Sequence, residues 1–408
     1  MKLKTLSTAI LLATVPMTGA FAAAMDRSGQ SIASFLQPGN YFEAGISVLD
    51  PSVSGHFKAA PSVSTGEMAD DYEFYNAALK FQLTDNFSFG LIYDQPFGAA
   101  ATYEPTALNV FNNAIGETTE VEVDTQNLSV ILGFQPSENW NIYGGGVYQT
   151  VKGNVQLRGA AYGGAAGFGG YNANIGEDSA VGWLAGIAYQ IPEIALKASL
   201  TYRSEIEHDI QISENLGALE AVKALPTYRP GQSNITTPQS VNLDFQTGIM
   251  ADTVAFANVR WVNWEDFSIR PHDFGFAANI VGQRVNPTHT TGFNLVDYSD
   301  DQISATVGVG RKFAEKWAGN VSVGWDSGAG DPVSTLGPTE GYWNLGLGLQ
   351  FSPAPNYFIA GGVKYFMLGD ATAQSGSYSI PGAAQAAQVA EFEDNDAWAY
   401  GLKIGYRF

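Results

Sequence analysis

Apolar and polar residues alternate with a period of two through most of the chain. Reading back from the C-terminus, Phe408, Tyr406, Ile404, Leu402, Tyr400 and Trp398 take every second position, while Arg407, Gly405, Lys403, Gly401 and Ala399 fill the gaps. The same pattern recurs in Val181-Trp183-Ala185-Ile187-Tyr189-Ile191, Trp317-Gly319-Val321-Val323-Trp325, Trp343-Leu345-Leu347-Leu349-Phe351 and Val241-Leu243-Phe245-Thr247-Ile249. Such alternation places one apolar face on a β-strand. A soluble sandwich would alternate too. The segments are long, however, and their other faces carry Gly, Asn, Gln, Asp and Lys, which suits an apolar outside and a wet inside.

Fourteen such segments are predicted, over residues 41–50, 72–83, 86–97, 119–135, 138–157, 178–191, 194–213, 236–250, 253–271, 294–313, 316–327, 340–352, 356–370 and 391–408. Short joins alternate strictly with long ones: Leu83 to Asn86, Gln135 to Glu138, Ile191 to Ile194, Met250 to Thr253, Phe313 to Lys316 and Ser352 to Asn356 are short. An even number of strands with tight turns on one rim and long loops on the other describes an all-β fold, a 14-stranded antiparallel transmembrane β-barrel of a Gram-negative outer membrane. Closure removes the exposed edges that such long strands would otherwise present. Trp140, Tyr143, Trp317 and Tyr357 lie beside short turns, where aromatic girdles belong. The terminal Phe408 after Tyr406 resembles the signal by which barrel assembly machinery recognises its clients.

Composition adds exclusions. Forty acidic residues against 20 basic ones give a net charge of −20, and there is no cysteine. That charge repels nucleic acid, and thiolate chemistry and disulfides are ruled out. At the N-terminus Lys2 and Lys4 precede the apolar stretch Ile10–Val15 and the small-residue sites Ala20-Phe21-Ala22 and Ala22-Ala23-Ala24, so residues 1–24 read as a cleaved export signal. Beyond it no run of 18 apolar residues occurs, which excludes a helical span.

A lumen ringed by fourteen strands is too wide for wall side chains alone to fill. Residues 25–40 lack strand alternation and are read as an N-terminal hatch within the lumen, with the barrel over 41–408. Here the chain resembles the FadL/TodX family of outer-membrane channels for long-chain fatty acids and other hydrophobic compounds. The likeness is carried by Ala44-Gly45-Ile46-Ser47-Val48-Leu49-Asp50-Pro51, Leu200-Thr201-Tyr202-Arg203-Ser204-Glu205-Ile206, Thr237-Pro238-Gln239-Ser240 and Asp396-Ala397-Trp398-Ala399-Tyr400-Gly401. The family's Asn-Pro-Ala hatch sequence is absent, and Gln37-Pro38-Gly39 stands nearest its place. The resemblance implies passive transport by a monomer, release of ligand into outer-membrane lipid, and no cofactor.

Candidate ligand contacts follow from strand parity. With aromatic faces toward lipid, Lys80, Lys152, Arg203, Arg260 and Lys364 are expected inside, near apolar Leu184, Phe358 and Phe366. A cation beside an apolar wall suits an amphiphile with a carboxylate head; an internal ladder with Glu205, Glu207 and Asp209 is the competing role for Arg203. Two loops read as an apolar groove outside the barrel: the glycine-rich Gly159–Gly176, with Phe168, and Ser213–Leu225, with Leu216, Leu219 and Val222 at helical spacing before Pro226. In the third strand Pro96 cannot donate to a ladder, so a kink is expected at Asp94-Gln95-Pro96-Phe97-Gly98. In relatives an inward kink of that strand opens the wall laterally, and this stretch resembles the corresponding place.

Other functions are less well supported. An enzyme would need a base, and His56, His208, His272 and His289 show no partner spacing, His208 being expected on the lipid face beside Ile206 and Ile210. Asp70-Asp71 and Asp300-Asp301 lack calcium-loop spacing, so no metal site is expected. A general diffusion porin for small polar solutes is the serious rival, and it requires an open lumen.

Overall fold

The structure is a computed structural model that describes residues 24–408. The expected export signal lies outside the described residues except for Ala24. Among the described residues fourteen antiparallel strands form the wall: β1 (Tyr41–Ser52), β2 (Tyr72–Gln82), β3 (Phe87–Asp94), β4 (Glu120–Ser137), β5 (Trp140–Gln156), β6 (Asn172–Ile191), β7 (Leu196–Arg203), β8 (Ser240–Met250), β9 (Thr253–Val262), β10 (Gln302–Lys312), β11 (Trp317–Asp326), β12 (Tyr342–Ala354), β13 (Tyr357–Leu368) and β14 (Asp396–Arg407). Each pairs with its sequence neighbours, and β14 returns to β1 with Tyr41 opposite Arg407 and Ser52 opposite Asp396, so the barrel closes.

The faces follow the sequence. On β14 Trp398, Tyr400, Leu402, Ile404 and Tyr406 are exposed to the surroundings, whereas Ala397, Ala399 and Lys403 are buried inside. In an outer membrane that exposed apolar band meets lipid, which removes the cost of leaving it in water. No helix among the described residues is long and apolar enough to span a membrane, and the crossing is made by strands.

Three strands, the seventh, ninth and tenth, fall furthest short of the predicted lengths. The seventh ends at Arg203 instead of running to residue 213, because Ser204 bonds twice to Trp183, through its amide to the carbonyl and through its hydroxyl to the amide. The chain then turns inward, and Ile206–Ile210 pairs with Ser233–Thr237 in a separate two-stranded sheet. His208 is therefore not on the lipid face. It is fully buried, bonded to Asp178 at 2.9 Å and to Gln149 at 3.0 Å. The ninth strand stops at Val262, and the tenth begins at Gln302 instead of residue 294. Between them stands a helix, α1 (His272–Val285), that the alternation did not reveal. Pro271 precedes it, and Phe274, Ala277, Ala278 and Val281 give it a helical apolar stripe.

The long loops build a cap with its own core. Ser54–Phe57, Ala60–Glu67, Val333–Ser334, Ala371–Gln374 and Gln388–Phe392 form a five-stranded sheet. With α1 it encloses Phe57, Phe111, Tyr171, Trp264, Phe274 and Phe392, each nearly or completely buried.

Candidate functional site

The hatch is held at both ends by different physics. Its C-terminal half, Ile32–Gln37, makes helical-type backbone turns, and its last carbonyls accept from lysines of the wall: Leu36 from Lys197 at 2.7 Å and Gln37 from Lys80 at 2.5 Å. Phe35 drops into a notch made by two glycines of β3 and β4. A Cβ on Gly90 would come within 2.4 Å of its ring and one on Gly133 within 2.9 Å, so neither position has room for a side chain. Tyr143 meets the Phe35 ring edge-on at 5.7 Å.

The N-terminal half is held by ions and backbone. Asp26 accepts from Arg260 at 2.7 Å and 3.3 Å, with both side chains buried. Gln30, Asn242 and Ser240 take the other guanidinium donors, so the desolvated charge is well compensated. Ser28 donates to Asp94 at 2.9 Å, and Asn242 donates to the Gly29 carbonyl at 2.7 Å.

Beside this half the wall is interrupted. β3 pairs with β4 up to Asp94 opposite Asn127, and the ladder resumes at Gly98 opposite Asp124. Three residues, Gln95–Phe97, stand opposite two, Thr125 and Gln126, which is a bulge. Phe97 turns inward to a buried position and bonds Thr125 through its amide and carbonyl. Toward β2 the ladder stops at Ala77 opposite Tyr93, and the next backbone contacts on that side come at Ala69 with Ala101 and Met68 with Thr102. In the interval Gln95 accepts from the Tyr75 amide and Tyr72 bonds Ala100 through its hydroxyl. The open edge is taken by the hatch: Asp26 bridges Phe97, the Arg27 amide donates to Pro96, and the Gly98 amide donates to Met25.

Two cavities lie on opposite sides of the hatch. The outer one, about 350 Å³ of empty space with open solvent included, is walled by Met25, Phe97, Val123, Val151, Ile175, Ile235, Pro238, Trp264, Phe267 and Ile269, with Thr125 and Thr237. The inner one, about 1950 Å³ on the same measure, meets Asn76, Ser199, Asn242, Asn258, Asn320, Ser322, Lys364 and Lys403, and it reaches the wall at Ile92–Gln95 and Tyr75. Phe74, Ile92, Tyr93, Phe256 and Val363 line it as well, and most of its surface is apolar, while Leu184, Phe358 and Phe366 are buried and do not line it.

The sequence candidates are distributed unevenly over this plan. Lys80, Arg203 and Arg260 are buried and point inward, and Lys364 lines the inner cavity. Lys80 and Arg260 are engaged by the hatch itself, while Arg203 interacts electrostatically with Asp94 and Asp244 and keeps Nη1 without a hydrogen bond among the described residues. Lys152 is not in the lumen. It lies opposite Asp124, 3.9 Å away, with its side chain half exposed and on the side of β5 away from buried Val151. Aromatic parity misled there, because Tyr143 faces in and Tyr148 out on the same strand.

Phe168, Leu216 and Leu219 are all buried in one core cluster instead of lining an exposed groove. Phe274 of α1 fills the space, 4.4 Å from Phe168 between ring centroids. The short helix foreseen after Ser213 is a 3-10 helix over Gly217–Ala224, with Asn215 accepting from the Gly217 amide. Glu214 binds the first turn of α1 through the Asp273 and Phe274 amides and accepts from Tyr171, which joins three loops. Burial raises the Glu214 carboxyl above its ordinary range. Sequence reasoning missed Asp26, Arg27, Ser28 and Trp264. Only a charged pair placed at the start of the hatch, Asp26-Arg27, offered a signal.

A closed fourteen-stranded barrel with an occupied lumen, a capped mouth and an interrupted third strand defines an outer-membrane channel for small molecules. The chain belongs to the FadL/TodX family: residues 21–408 match the family model described as outer membrane protein transport protein (OMPP1/FadL/TodX). This is a family of transport channels, not of enzymes, and it places the chain in the outer membrane. No curated protein sequence gives a significant match. Among solved structures the chain is similar to a Pseudomonas aeruginosa FadL homologue, at 14% identity over 99% of this chain and 98% of that one, TM-score 0.68. It is also similar to the P. putida toluene transporter TodX, at 13% identity over 92% of both chains, TM-score 0.61. The Ralstonia pickettii toluene transporter TbuX aligns at 10% identity over 97% and 98%, TM-score 0.56.

Proposed function

We propose that this chain carries long-chain fatty acids or similar hydrophobic compounds passively from the outer surface into the outer membrane, leaving sideways through the interruption at Asp94–Gly98. The carrying observation is that the dry cavity beneath the cap and the break in β3 share a wall residue, Phe97. A ligand in that cavity lies one side chain from the break in the barrel wall. Continuing downward would bring it into a lumen whose apolar lining is interrupted by amides and charges, at a loss of about 0.8 kcal/mol for each methylene that comes to face water there. The cap residues Phe168, Leu216 and Leu219 are buried, and in this reading they receive the ligand only once the cap loops part. Arg203, which interacts electrostatically with Asp94 at the break, supplies the cation nearest this route for a carboxylate head. The toluene transporters among the structural neighbours lend support to a hydrophobic cargo.

The test is a wall-sealing variant in which Asp94-Gln95-Pro96 is replaced by Thr-Val-Thr, which restores ladder donors. Uptake of a radiolabelled long-chain fatty acid by cells is expected to fall at least tenfold at matched expression, with heat stability equal or higher. Uptake equal to the parent protein contradicts lateral exit. High conductance to small ions in planar bilayers with the hatch intact would instead favour a diffusion porin.

A further inference from the structure

The break in the wall is not empty, and what fills it is a side chain of the hatch. The Arg27 guanidinium lies between the Tyr72 ring, 4.1 Å from its centroid, and Gly98, where a Cβ would fall 2.2 Å from Cζ. Arg27 is 8% exposed, and its Nη1 reaches Asp124 at 3.4 Å. Asp124 sits at the far rim of the break, on the side of β4 away from buried Thr125, and also faces Lys152. Arg27 thus crosses the gap between β2 and the displaced end of β3, from a hatch residue on the inside to a wall residue on the outside.

We propose that Arg27 is the latch of the lateral opening, with Tyr72 and Asp124 as its seat and Gly98 as the space reserved for it. This rests on the lateral route above and adds the residue that controls it. The latch is poised to release. Nε and Nη2 are buried without a hydrogen-bond partner among the described residues, and buried donors left unpaired oppose the closed position. Cation–π contacts with Tyr72 at 4.1 Å and Phe74 at 5.8 Å and one long ion pair offset them. Met25, the preceding residue, lines the dry cavity and accepts from the Gly98 amide. A ligand filling that cavity therefore presses on the backbone that carries the latch.

The chain has no cysteine, so Met25→Cys provides a single reporter for labelling by a membrane-permeant maleimide in outer-membrane vesicles. Three changes on this background unseat the latch differently: Arg27→Ala removes it, Gly98→Ala fills its space, and Asp124→Asn weakens its outer seat without touching the hatch. Folding of each is checked by heat-modifiable migration on gels. The expected labelling rates rise at least tenfold for the first two and about threefold for Asp124→Asn, with Arg27→Lys between the parent and Arg27→Ala. Unchanged labelling in folded Arg27→Ala and Asp124→Asn overturns the latch. Fatty acid uptake is read separately on the same variants. Raised labelling with raised uptake supports latch and route together, while raised labelling with unchanged uptake keeps the latch and removes lateral exit as the path of transport.

Discussion

On the outer side of the hatch the cavity wall is Val123, Val151, Ile175, Ile235, Trp264 and Phe267, while on the inner side Phe74, Ile92 and Phe256 share it with Asn76, Asn242, Asn258, Asn320 and Lys364. Both belong to one barrel, built from strands with the same alternation. The difference arises from what covers them. The outer half is roofed by loops that bring their own aromatic core, so its wall residues pack against apolar neighbours and stay dry. The inner half mixes apolar side chains with amides and lysines. The hatch is the boundary, and the lesson is that only its outer side offers a wall free of amides and charges.

Removing that boundary should have the largest effect. Asp26→Ala leaves Arg260 buried without its carboxylate, a loss of about 3–5 kcal/mol, which is enough to free the N-terminal half of the hatch. Small-ion conductance in planar bilayers is expected to rise severalfold, and conductance equal to the parent would mean that the cap alone closes the channel. A smaller effect is expected from making the outer cavity resemble the inner one. Val151→Asn places an amide in a dry site at a cost of about 1–3 kcal/mol, so fatty acid uptake should fall roughly tenfold. The mirror change Asn320→Val should alter uptake by less than about twofold.

The smallest effect concerns a cap residue that lines neither cavity. Glu340 accepts from the Ala329 and Gly330 amides, and burial pushes its carboxyl up to about 7. With the folded value above the unfolded one, its contribution to the fold is fully present below about pH 4.5 and is lost as pH rises through about 7. Proteolysis of the 327–341 loop should therefore quicken from pH 5 to pH 8, and Glu340→Gln should flatten that dependence. An unchanged profile in Glu340→Gln would assign the effect elsewhere.

The wall was legible because a strand writes its faces into local sequence: the 398–408 alternation could be read without knowing any partner. Pro96 was legible for the same reason, since proline lacks a donor wherever it stands. The failures are of two kinds. At Ser204 the chain leaves the wall through bonds to Trp183, and at α1 a helical stripe follows directly on strand alternation, so the period changes without a marked boundary. The contacts of the hatch were illegible in principle, because Asp26 and Arg260 are 234 residues apart and neither carries a local sign of the other. Arg260 could be placed inside the barrel, but its partner could not be named.

The most direct measurement is a photolabelling map. A fatty acid carrying a diazirine on its alkyl chain, irradiated with the protein in outer-membrane vesicles and mapped by mass spectrometry, reports which wall the cargo touches. Adducts are predicted at Met25, Val151 and Trp264 and at the break on Pro96, Phe97 and Gly98, with few on residues that line only the inner cavity. Dominant labelling of Asn258, Asn320 and Lys364 would contradict lateral exit and put the path through the hatch toward the periplasm.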